Sequence, residues 1–180
     1  PDSVAVAFDL KSPTFRHKKV ESYKANRKGM PPELAQQLPL IKELLTLMGI
    51  KVVECEGFEA DDILGTLSKS CTDCGCECYV LTGDRDSLQL IDENVHVKLV
   101  ISRPGQTTAT LYTEEKFKEE YGFEPPKMVD LKALMGDSSD NIPGVAGVGP
   151  KTATELIHKF GSLDGIYENL QDDSIRPKLR

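Results

Sequence analysis

The sequence predicts an α/β fold in which a parallel sheet is followed by a smaller helical part. Short apolar runs rich in valine alternate with helical patterns over the first 110 residues. Most of these runs are followed closely by a carboxylate, and the last third contains helical patterns separated by glycine and proline. Parallel strands joined by helices explain the first pattern, and a helical annex explains the last.

Four strands and two helices are predicted in the first part. The strands are predicted at residues 4–8, 50–54, 79–82 and 95–101. The helices are predicted at residues 32–48, where Gly49 ends the apolar periodicity, and at residues 60–70. Four further helices are predicted in the annex, at residues 113–121, 126–135, 151–160 and 162–170. We therefore predict an α/β core over residues 1–110 and a helical annex over residues 111–180.

Charge is distributed unevenly along the chain. The net charge is −7, which does not by itself indicate a nucleic-acid-binding protein. The segment from Lys11 to Lys28 nevertheless contains seven basic residues and one acid, whereas the rest contains 15 basic and 28 acidic residues. Such a segment would attract phosphates toward an otherwise repulsive surface. Its aromatic residues Phe15 and Tyr23 either stack on unpaired bases or belong to the core.

Composition argues against several classes of protein. No apolar run approaches the roughly 20 residues of a membrane span, and no leader peptide opens the sequence, so we expect neither a membrane nor a secreted protein. The chain contains five cysteines, and an odd number argues against a framework of paired disulfides. Four of them lie close together, which leaves a zinc site as an alternative to reduced thiols. We expect reduced thiols, because four ligands from so short a segment fit a tetrahedron poorly: Cys71, Cys74, Cys76 and Cys78.

Acidic residues follow the ends of the first three predicted strands. Carboxyl ends of parallel strands meet at one edge of a sheet, so these side chains are predicted to converge. The alternative is that single acids occur by chance or favour helix N-termini. Two more acids follow a predicted annex helix. The full set is Asp9, Glu59, Asp61, Asp62, Asp84, Asp86, Asp137 and Asp140.

Converging carboxylates need cations. Two carboxylates about 5 Å apart repel by roughly 3 kcal/mol at an effective dielectric constant of about 20. An all-oxygen ligand set without histidine or cysteine is typical of Mg²⁺ or Mn²⁺. Two such ions at an acidic site are typical of in-line displacement at phosphorus, which needs no side-chain nucleophile.

A glycine-rich turn lies between two annex helices, at residues 144–152. It differs from a phosphate-binding P-loop because Pro150 separates the last glycine from Lys151 and Thr152. Free N–H groups at a helix N-terminus would bind phosphate in a DNA backbone. A plain helix–helix turn with left-handed glycines explains the same residues equally well.

Several of these segments, in this order, resemble motifs of the 5′-nuclease family, and in particular its 5′→3′ exonuclease domains attached to bacterial polymerases. The likeness covers nearly the whole chain. The motifs are Val6-Ala7-Phe8-Asp9, Phe15-Arg16-His17, Tyr23-Lys24-Ala25-Asn26-Arg27, Gly57-Phe58-Glu59-Ala60-Asp61-Asp62, Leu81-Thr82-Gly83-Asp84-Arg85-Asp86, Gly136-Asp137-Ser138-Ser139-Asp140-Asn141-Ile142-Pro143-Gly144 and Gly147-Val148-Gly149-Pro150-Lys151-Thr152-Ala153.

The resemblance implies a PIN-like core, a basic arch over residues 11–30 and a helix-hairpin-helix annex. It implies Mg²⁺- or Mn²⁺-dependent hydrolysis of DNA at a 5′ end or flap junction, in primer removal and repair. The eight acids above would then hold two metal ions, and Asp9, Arg16, Lys24 and Arg27 would be catalytic. Residues implied to bind DNA are Arg16, Lys19, Tyr23, Lys24, Arg27, Gly147, Val148, Gly149, Lys151 and Thr152, with a K⁺ ion at the hairpin.

The resemblance also sets expectations beyond this chain. In the family, a further strand ending in a metal-binding aspartate lies upstream of the first strand predicted here, so we expect these residues alone to bind DNA but to cleave it poorly. A monomer in the bacterial cytoplasm, associated with the nucleoid and fused to a polymerase domain, is implied. The alternatives are a DNA-binding module without catalysis, and a phosphatase or RNA-directed nuclease, which would not explain the glycine turn.

Overall fold

In the computed structural model, which describes residues 1–175, the chain divides into two compact units. The first unit consists of Pro1–Thr66 and the short segment Ser139–Asn141. The second consists of Leu67–Ser138 and the chain from Ile142 onward. The last five residues of the predicted annex lie outside the described residues. Among residues 1–175, no helix has the length and apolarity needed to cross a membrane.

The first unit contains a parallel βαβ arrangement. Strand β1 (Ala5–Ala7) pairs in parallel with strand β2 (Lys51–Val53), with Ala5 opposite Lys51. Helix α2 (Pro32–Leu47) lies between them in sequence, and Pro32 occupies its first turn, where proline is tolerated. This arrangement was predicted, because both strands are short apolar runs and the helix has apolar residues at helical spacing.

A short helix in the basic segment was not predicted. Helix α1 (Phe15–Lys19) has five residues, four of which are basic, so it shows no apolar periodicity. Its N-cap Thr14 is buried, and the Thr14 hydroxyl lies 2.8 Å from Nδ1 of His17. This local side-chain contact fixes the start of the helix where the sequence offers no hydrophobic pattern.

Helix α3 (Ala60–Cys74) follows β2 and begins with two acids in its first turn, Asp61 and Asp62. Negative side chains at this end are favoured by the helix dipole. The helix is four residues longer than predicted and ends before Gly75, whose φ of +68° is a left-handed conformation typical of a residue after a helix.

The second unit contains a mixed three-stranded sheet. Strand β3 (Cys78–Thr82) pairs in parallel with β4 (Val95–Arg103), and β4 pairs antiparallel with β5 (Gln106–Tyr112). Strand β5 was not predicted, since its polar sequence masks a strand that lies at the sheet edge. The described residues therefore form two sheets, each with a predicted parallel pair of strands, and β5 adds an antiparallel strand to the second.

Helices make up the rest of the second unit; the α-helices lie close to the predicted positions, whereas the 3₁₀ helix at Arg85–Leu90 was not predicted. Phe117 and Ile157 are almost completely buried among them. Gly136 and Gly144 approach so closely that a Cβ atom built on Gly144 would lie 2.3 Å from the Gly136 nitrogen, which only glycine permits. The elements are a 3₁₀ helix at Arg85–Leu90, α4 (Glu114–Tyr121), a 3₁₀ helix at Pro125–Lys127, α5 (Met128–Met135), α6 (Pro150–Phe160) and α7 (Leu163–Glu168).

Candidate active site

Asp62, at the start of α3, is held by Arg16 of α1. Nη1 and Nη2 of Arg16 donate to the two carboxylate oxygens of Asp62 at 2.7 Å each. This bidentate pair lowers the pKa of Asp62 and raises the pKa of Arg16, although burial opposes both shifts. The Asp62 carboxylate also accepts the backbone N–H of Glu59 at 2.8 Å, so it caps the helix start as well.

Glu59 is the most buried acid of the first unit, with 7% of its surface exposed. Its Oε2 accepts from Nζ of Lys24 at 2.8 Å and from the hydroxyl of Tyr23 at 3.0 Å. Burial, followed by the hydrogen bond to Glu59, raises the pKa of Tyr23 far above its ordinary value. Tyr23 therefore stays protonated and serves as a hydrogen-bond donor to this carboxylate.

Asp140 completes this group of acids in the first unit. Its Oδ1 accepts from Nη2 of Arg27 at 2.6 Å, and its Oδ2 lies 3.2 Å from the Tyr23 hydroxyl. The backbone carbonyl of Asp140 accepts from the N–H of Lys24 at 2.9 Å. Lys24 has a φ of +54°, uncommon for a residue with a side chain. Tyr23 thus links Glu59 to Asp140, two acids far apart in sequence.

A cavity of about 300 Å³ opens beside these residues in the first unit. Asp9, directly after β1, lies on its wall and accepts the N–H of Ala60 through Oδ1 at 2.7 Å. Asp61 lies in the first turn of α3 and is exposed. The lining residues are Asp9, Leu10, Lys11, Ser12, Pro13, Thr14, His17, Lys24, Arg27 and Glu59.

The three remaining predicted metal-site acids belong to the second unit, where Lys132 of α5 joins two of them. Nζ of Lys132 lies 2.7 Å from Oδ1 of Asp86 and 2.7 Å from Oδ2 of Asp137. Asp84 accepts the N–H of Asp86 at 2.9 Å and caps the 3₁₀ helix that follows β3. Lys132 was missed by the sequence analysis, since a single base among many gives no pattern.

Asp86 is a half-buried acid of the second unit whose pKa is raised. Burial raises the pKa of its carboxyl group, and nearby Asp84 and Asp137 add to the effect, whereas Lys132 opposes it. Its Oδ1 is buried and has Nζ of Lys132 at 2.7 Å as its charged partner. A carboxylate oxygen of this kind is also the ligand type that a hard cation prefers.

The structure gathers the predicted acids in two groups, one in each unit, and pairs most of them with basic side chains. The repulsion that the sequence predicts is therefore relieved by Arg16, Lys24, Arg27 and Lys132. Within residues 1–175, no three acids, histidines or cysteines lie in a position to hold a metal ion together. The four clustered cysteines are free thiols in the structure.

Two aromatic residues of the basic segment differ in exposure. Tyr23 is 7% exposed and belongs to the core, which is the second of the two interpretations offered by the sequence. Phe15 is 36% exposed and packs its ring against Phe58, with centroids 5.8 Å apart. Lys19 is exposed, with its Nζ 5.8 Å from the Phe15 ring centroid.

The glycine turn leads directly into α6. Gly147 has a φ of +83°, and Gly149 is the N-cap residue. No atom lies within 4 Å of a Cβ built on either glycine, so their backbones are accessible. Val148 is buried between them, whereas Lys151 is exposed and Thr152 half-buried. The turn offers N–H groups at a helix start, as the phosphate-binding interpretation requires.

An α/β unit with paired acids and bases, followed by helices joined by a glycine turn, contains the parts that the resemblance to 5′-nucleases implies. Two family descriptions together match the whole chain: "5'-3' exonuclease, N-terminal resolvase-like domain" over residues 1–122, and "5'-3' exonuclease, C-terminal SAM fold" over residues 123–180. The chain belongs to the 5′-3′ exonuclease family. The predicted combination of an α/β nuclease core and a helical annex is thereby confirmed.

The chain is similar to DNA polymerase I of several bacteria. It is 48% identical to that of Caldicellulosiruptor bescii, over 99% of this chain and 21% of the relative. It is 47% identical to that of Bacillus subtilis, over 97% of this chain and 20% of the relative. The chain therefore spans about a fifth of the length of these relatives, in agreement with the predicted likeness to an exonuclease domain.

Two solved structures have a similar fold. The T5 D15 protein co-crystallised with metal ions matches with a TM-score of 0.76 and 24% identity, over 98% of this chain and 70% of that protein. The catalytic core of Rad2 in complex with DNA substrate matches with a TM-score of 0.57 and 22% identity, over 98% of this chain and 54% of that core. At this identity the likeness concerns the fold.

Proposed function

We propose that this chain is a metal-dependent 5′→3′ nuclease that hydrolyses DNA phosphodiesters at a 5′ end or flap junction. The observation that supports it best is the position of three neighbouring bases. Arg16, Lys24 and Arg27 each bind a carboxylate of the first unit, in a family whose relatives are DNA polymerases. The same bases can bind phosphate oxygens once those carboxylates have another partner. Primer removal and repair, within a longer polymerase polypeptide, is the proposed role.

Divalent ions are the proposed cofactor, with Mg²⁺ or Mn²⁺ favoured by the oxygen-only ligand chemistry. Lys132 Nζ lies 2.7 Å from both Asp86 Oδ1 and Asp137 Oδ2, so these two carboxylates already hold a positive charge between them. When bound, such ions lower the pKa of a water molecule and stabilise the leaving oxygen. The residues proposed to hold them are Asp9, Glu59, Asp61, Asp62 and Asp140 in the first unit, and Asp84, Asp86 and Asp137 in the second.

The basic residues have separate roles in this proposal. Arg16 presents a planar guanidinium that matches two phosphate oxygens, whereas Lys24 presents a point charge. Arg27 has 51% of its side chain exposed and is the most accessible of the three to DNA. Tyr23 keeps Glu59 and Asp140 in place through its hydroxyl. These residues bind and orient the substrate, and none of them acts as a nucleophile.

The helical annex is proposed to bind duplex backbone. N–H groups around Gly147 and Gly149, with Lys151 beside them, would contact phosphates without reading sequence. The K⁺ ion implied by the family resemblance would be bound at the same turn. Substituting Lys151 by alanine should weaken binding uniformly across sequences and reduce its salt dependence by about one counterion.

The experiment that tests the function uses a 5′-labelled flap duplex with Mg²⁺, Mn²⁺, or a chelator. We expect slow, metal-dependent release of short 5′ products, in line with the poor cleavage expected of these residues alone, and a further loss of about 10²-fold or more for D62N and D86N. The matched control is D73N, since Asp73 pairs with Lys69 on the exposed surface of α3. Cleavage that persists with chelator, or that D62N and D86N leave intact, would contradict the proposal.

A second candidate is a DNA-binding module that cleaves weakly or not at all. It is favoured by the finding that no three potential ligands in residues 1–175 are positioned to share a metal ion. Salt-dependent binding of the flap duplex, measured by fluorescence anisotropy and without metal-dependent products, would support this candidate. Competition with RNA of the same sequence separates both candidates from an RNA-directed nuclease.

A further inference from the structure

Four of the five cysteines lie between the last turn of α3 and the first residue of β3, within the second unit. None of them belongs to the candidate active site. Cys71 and Cys74 lie in the last turn of α3, Cys76 lies in the connection, and Cys78 begins β3. Cys74 and Cys76 are exposed, whereas Cys71 and Cys78 are half-buried. The exposed pair is therefore accessible to a reagent in solution.

The backbone at the end of α3 forms a Schellman turn. The N–H of Gly75 donates to the carbonyl of Thr72 at 3.1 Å, and the N–H of Cys76 donates to the carbonyl of Cys71 at 2.9 Å. Gly75 adopts a φ of +68°, which glycine adopts without strain. This turn reverses the chain within one residue, so the side chains on either side of Gly75 face each other.

The two exposed thiols are in direct contact as a result. Sγ of Cys74 lies 2.9 Å from Sγ of Cys76, and Sγ of Cys74 also lies 3.3 Å from the carbonyl oxygen of Cys71. A disulfide bond is about 2.05 Å long, so the two sulfurs need to approach by roughly 1 Å. The hydrogen bond to Cys74 raises the pKa of Cys76, in line with two thiols in direct contact.

We propose that Cys74 and Cys76 form a reversible disulfide and make this turn a redox-sensitive modification site. The oxidant is a low-molecular-weight disulfide such as oxidised glutathione. The Cys74 thiolate attacks one of its sulfurs, and one thiol is released with a mixed disulfide left on Cys74. The Cys76 thiolate then attacks the Cys74 sulfur and expels the second thiol. Two protein thiols are oxidised, and one small disulfide is reduced to two thiols.

A bond across one intervening residue closes a very short loop, which constrains little of the unfolded chain. The disulfide is therefore expected to add little stability, and its small ring makes it easy to reduce. These properties are typical of a regulatory disulfide rather than a structural one.

The test incubates the 180-residue chain in glutathione buffers of graded ratio, followed by alkylation of the remaining thiols and peptide mapping by mass spectrometry. We expect oxidation to remove two hydrogen atoms and two alkylation sites, both within the peptide that contains Cys74 and Cys76. Reduction with dithiothreitol should restore both sites.

Serine variants assign the pair. C74S and C76S should each abolish the intramolecular disulfide and accumulate a mixed disulfide on the remaining thiol. C71S, C78S and C55S should form the disulfide at the same glutathione ratio as the parent chain, and far-UV circular dichroism verifies that each variant folds. A disulfide between Cys71 and Cys78, or glutathione adducts on Cys74 and Cys76 that never resolve, would overturn the proposal.

Discussion

Arg16 binds Asp62 through two parallel hydrogen bonds of 2.7 Å. A base that is proposed to bind the substrate is therefore paired with an acid that is proposed to bind a metal ion. While this pair persists, Asp62 is not available to a metal ion, and Arg16 is not available to phosphate. A divalent cation that binds Asp62 has to displace the guanidinium, and the guanidinium then becomes available to phosphate. Metal binding and substrate binding are therefore expected to support one another in the first unit.

Replacing Arg16 by methionine should separate these two effects. The variant frees Asp62, so the apparent affinity for Mn²⁺ should increase by about tenfold, in line with the roughly 1.5 kcal/mol of a charged hydrogen bond. Cleavage of flap DNA at saturating metal should fall by about 10²-fold, because a phosphate ligand is lost. Calorimetric titration measures the first quantity and product release the second. Weaker Mn²⁺ binding by R16M would contradict this relationship.

The Tyr23 hydroxyl should contribute measurably to stability. In Y23F, buried Glu59 loses one donor and Asp140 loses its link to that carboxylate. We expect the free energy of unfolding in urea to decrease by about 1–3 kcal/mol. The matched control is Y167F, since Tyr167 is 69% exposed and its substitution should change stability by less than about 0.5 kcal/mol. Equal effects of the two substitutions would show that the hydroxyl network has no energetic role.

The sequence predicts most of the strands and helices that carry the acids, because these elements depend on local patterns of apolar residues. The acid after β1 and the acids at the start of α3 were found from strand ends and helix starts. Lys132 was not found, since its position between Asp86 and Asp137 depends on how α5 packs. Strand β5 was missed for a related reason: its threonine-rich sequence suits a strand but contains no apolar run, so only its pairing with β4 reveals it.

The pairing of the basic segment with carboxylates could not be read from sequence either. The charge count identified the basic segment and suggested a face toward solvent or DNA, and the family resemblance singled out Arg16, Lys24 and Arg27 within it. Tertiary folding brings them to acids 35 to 113 residues away in the chain. Separations of this size have no signature in composition or periodicity, so only the three-dimensional structure shows which acid each base binds.

Gly144 should be far less tolerant of alanine than a left-handed glycine with open surroundings, such as Gly105. A Cβ on Gly144 would lie 2.3 Å from the backbone nitrogen of Gly136, whereas a Cβ on Gly105 meets no atom within 4 Å. Both glycines have positive φ, so G105A measures the conformational cost alone, about 1 kcal/mol. G144A should lower the midpoint of thermal unfolding by several degrees more than G105A. Similar midpoints would show that the turn can open without loss of stability.

Asp92 should make the stability of the second unit dependent on pH. Burial disfavours its charged form, but donors from Thr72, Asn94 and Val95 at 2.7 to 2.9 Å outweigh that effect and lower its pKa. The carboxylate therefore contributes stability fully above its unfolded pKa of about 3.9 and loses it as the pH falls through the lower, folded value. In D92N this contribution is absent at every pH, since an amide does not ionise.

The measurement is urea unfolding of the parent chain and D92N between pH 7 and the acid limit of folding. The parent should be more stable by roughly 1–2 kcal/mol near pH 7, and the difference should shrink as the pH falls below about 3.9. D73N is the matched control, because Asp73 lies on an exposed turn of α3 beside Lys69. A stability difference for D92N that stays constant down to the acid limit would mean that Asp92 acts through its shape rather than its charge.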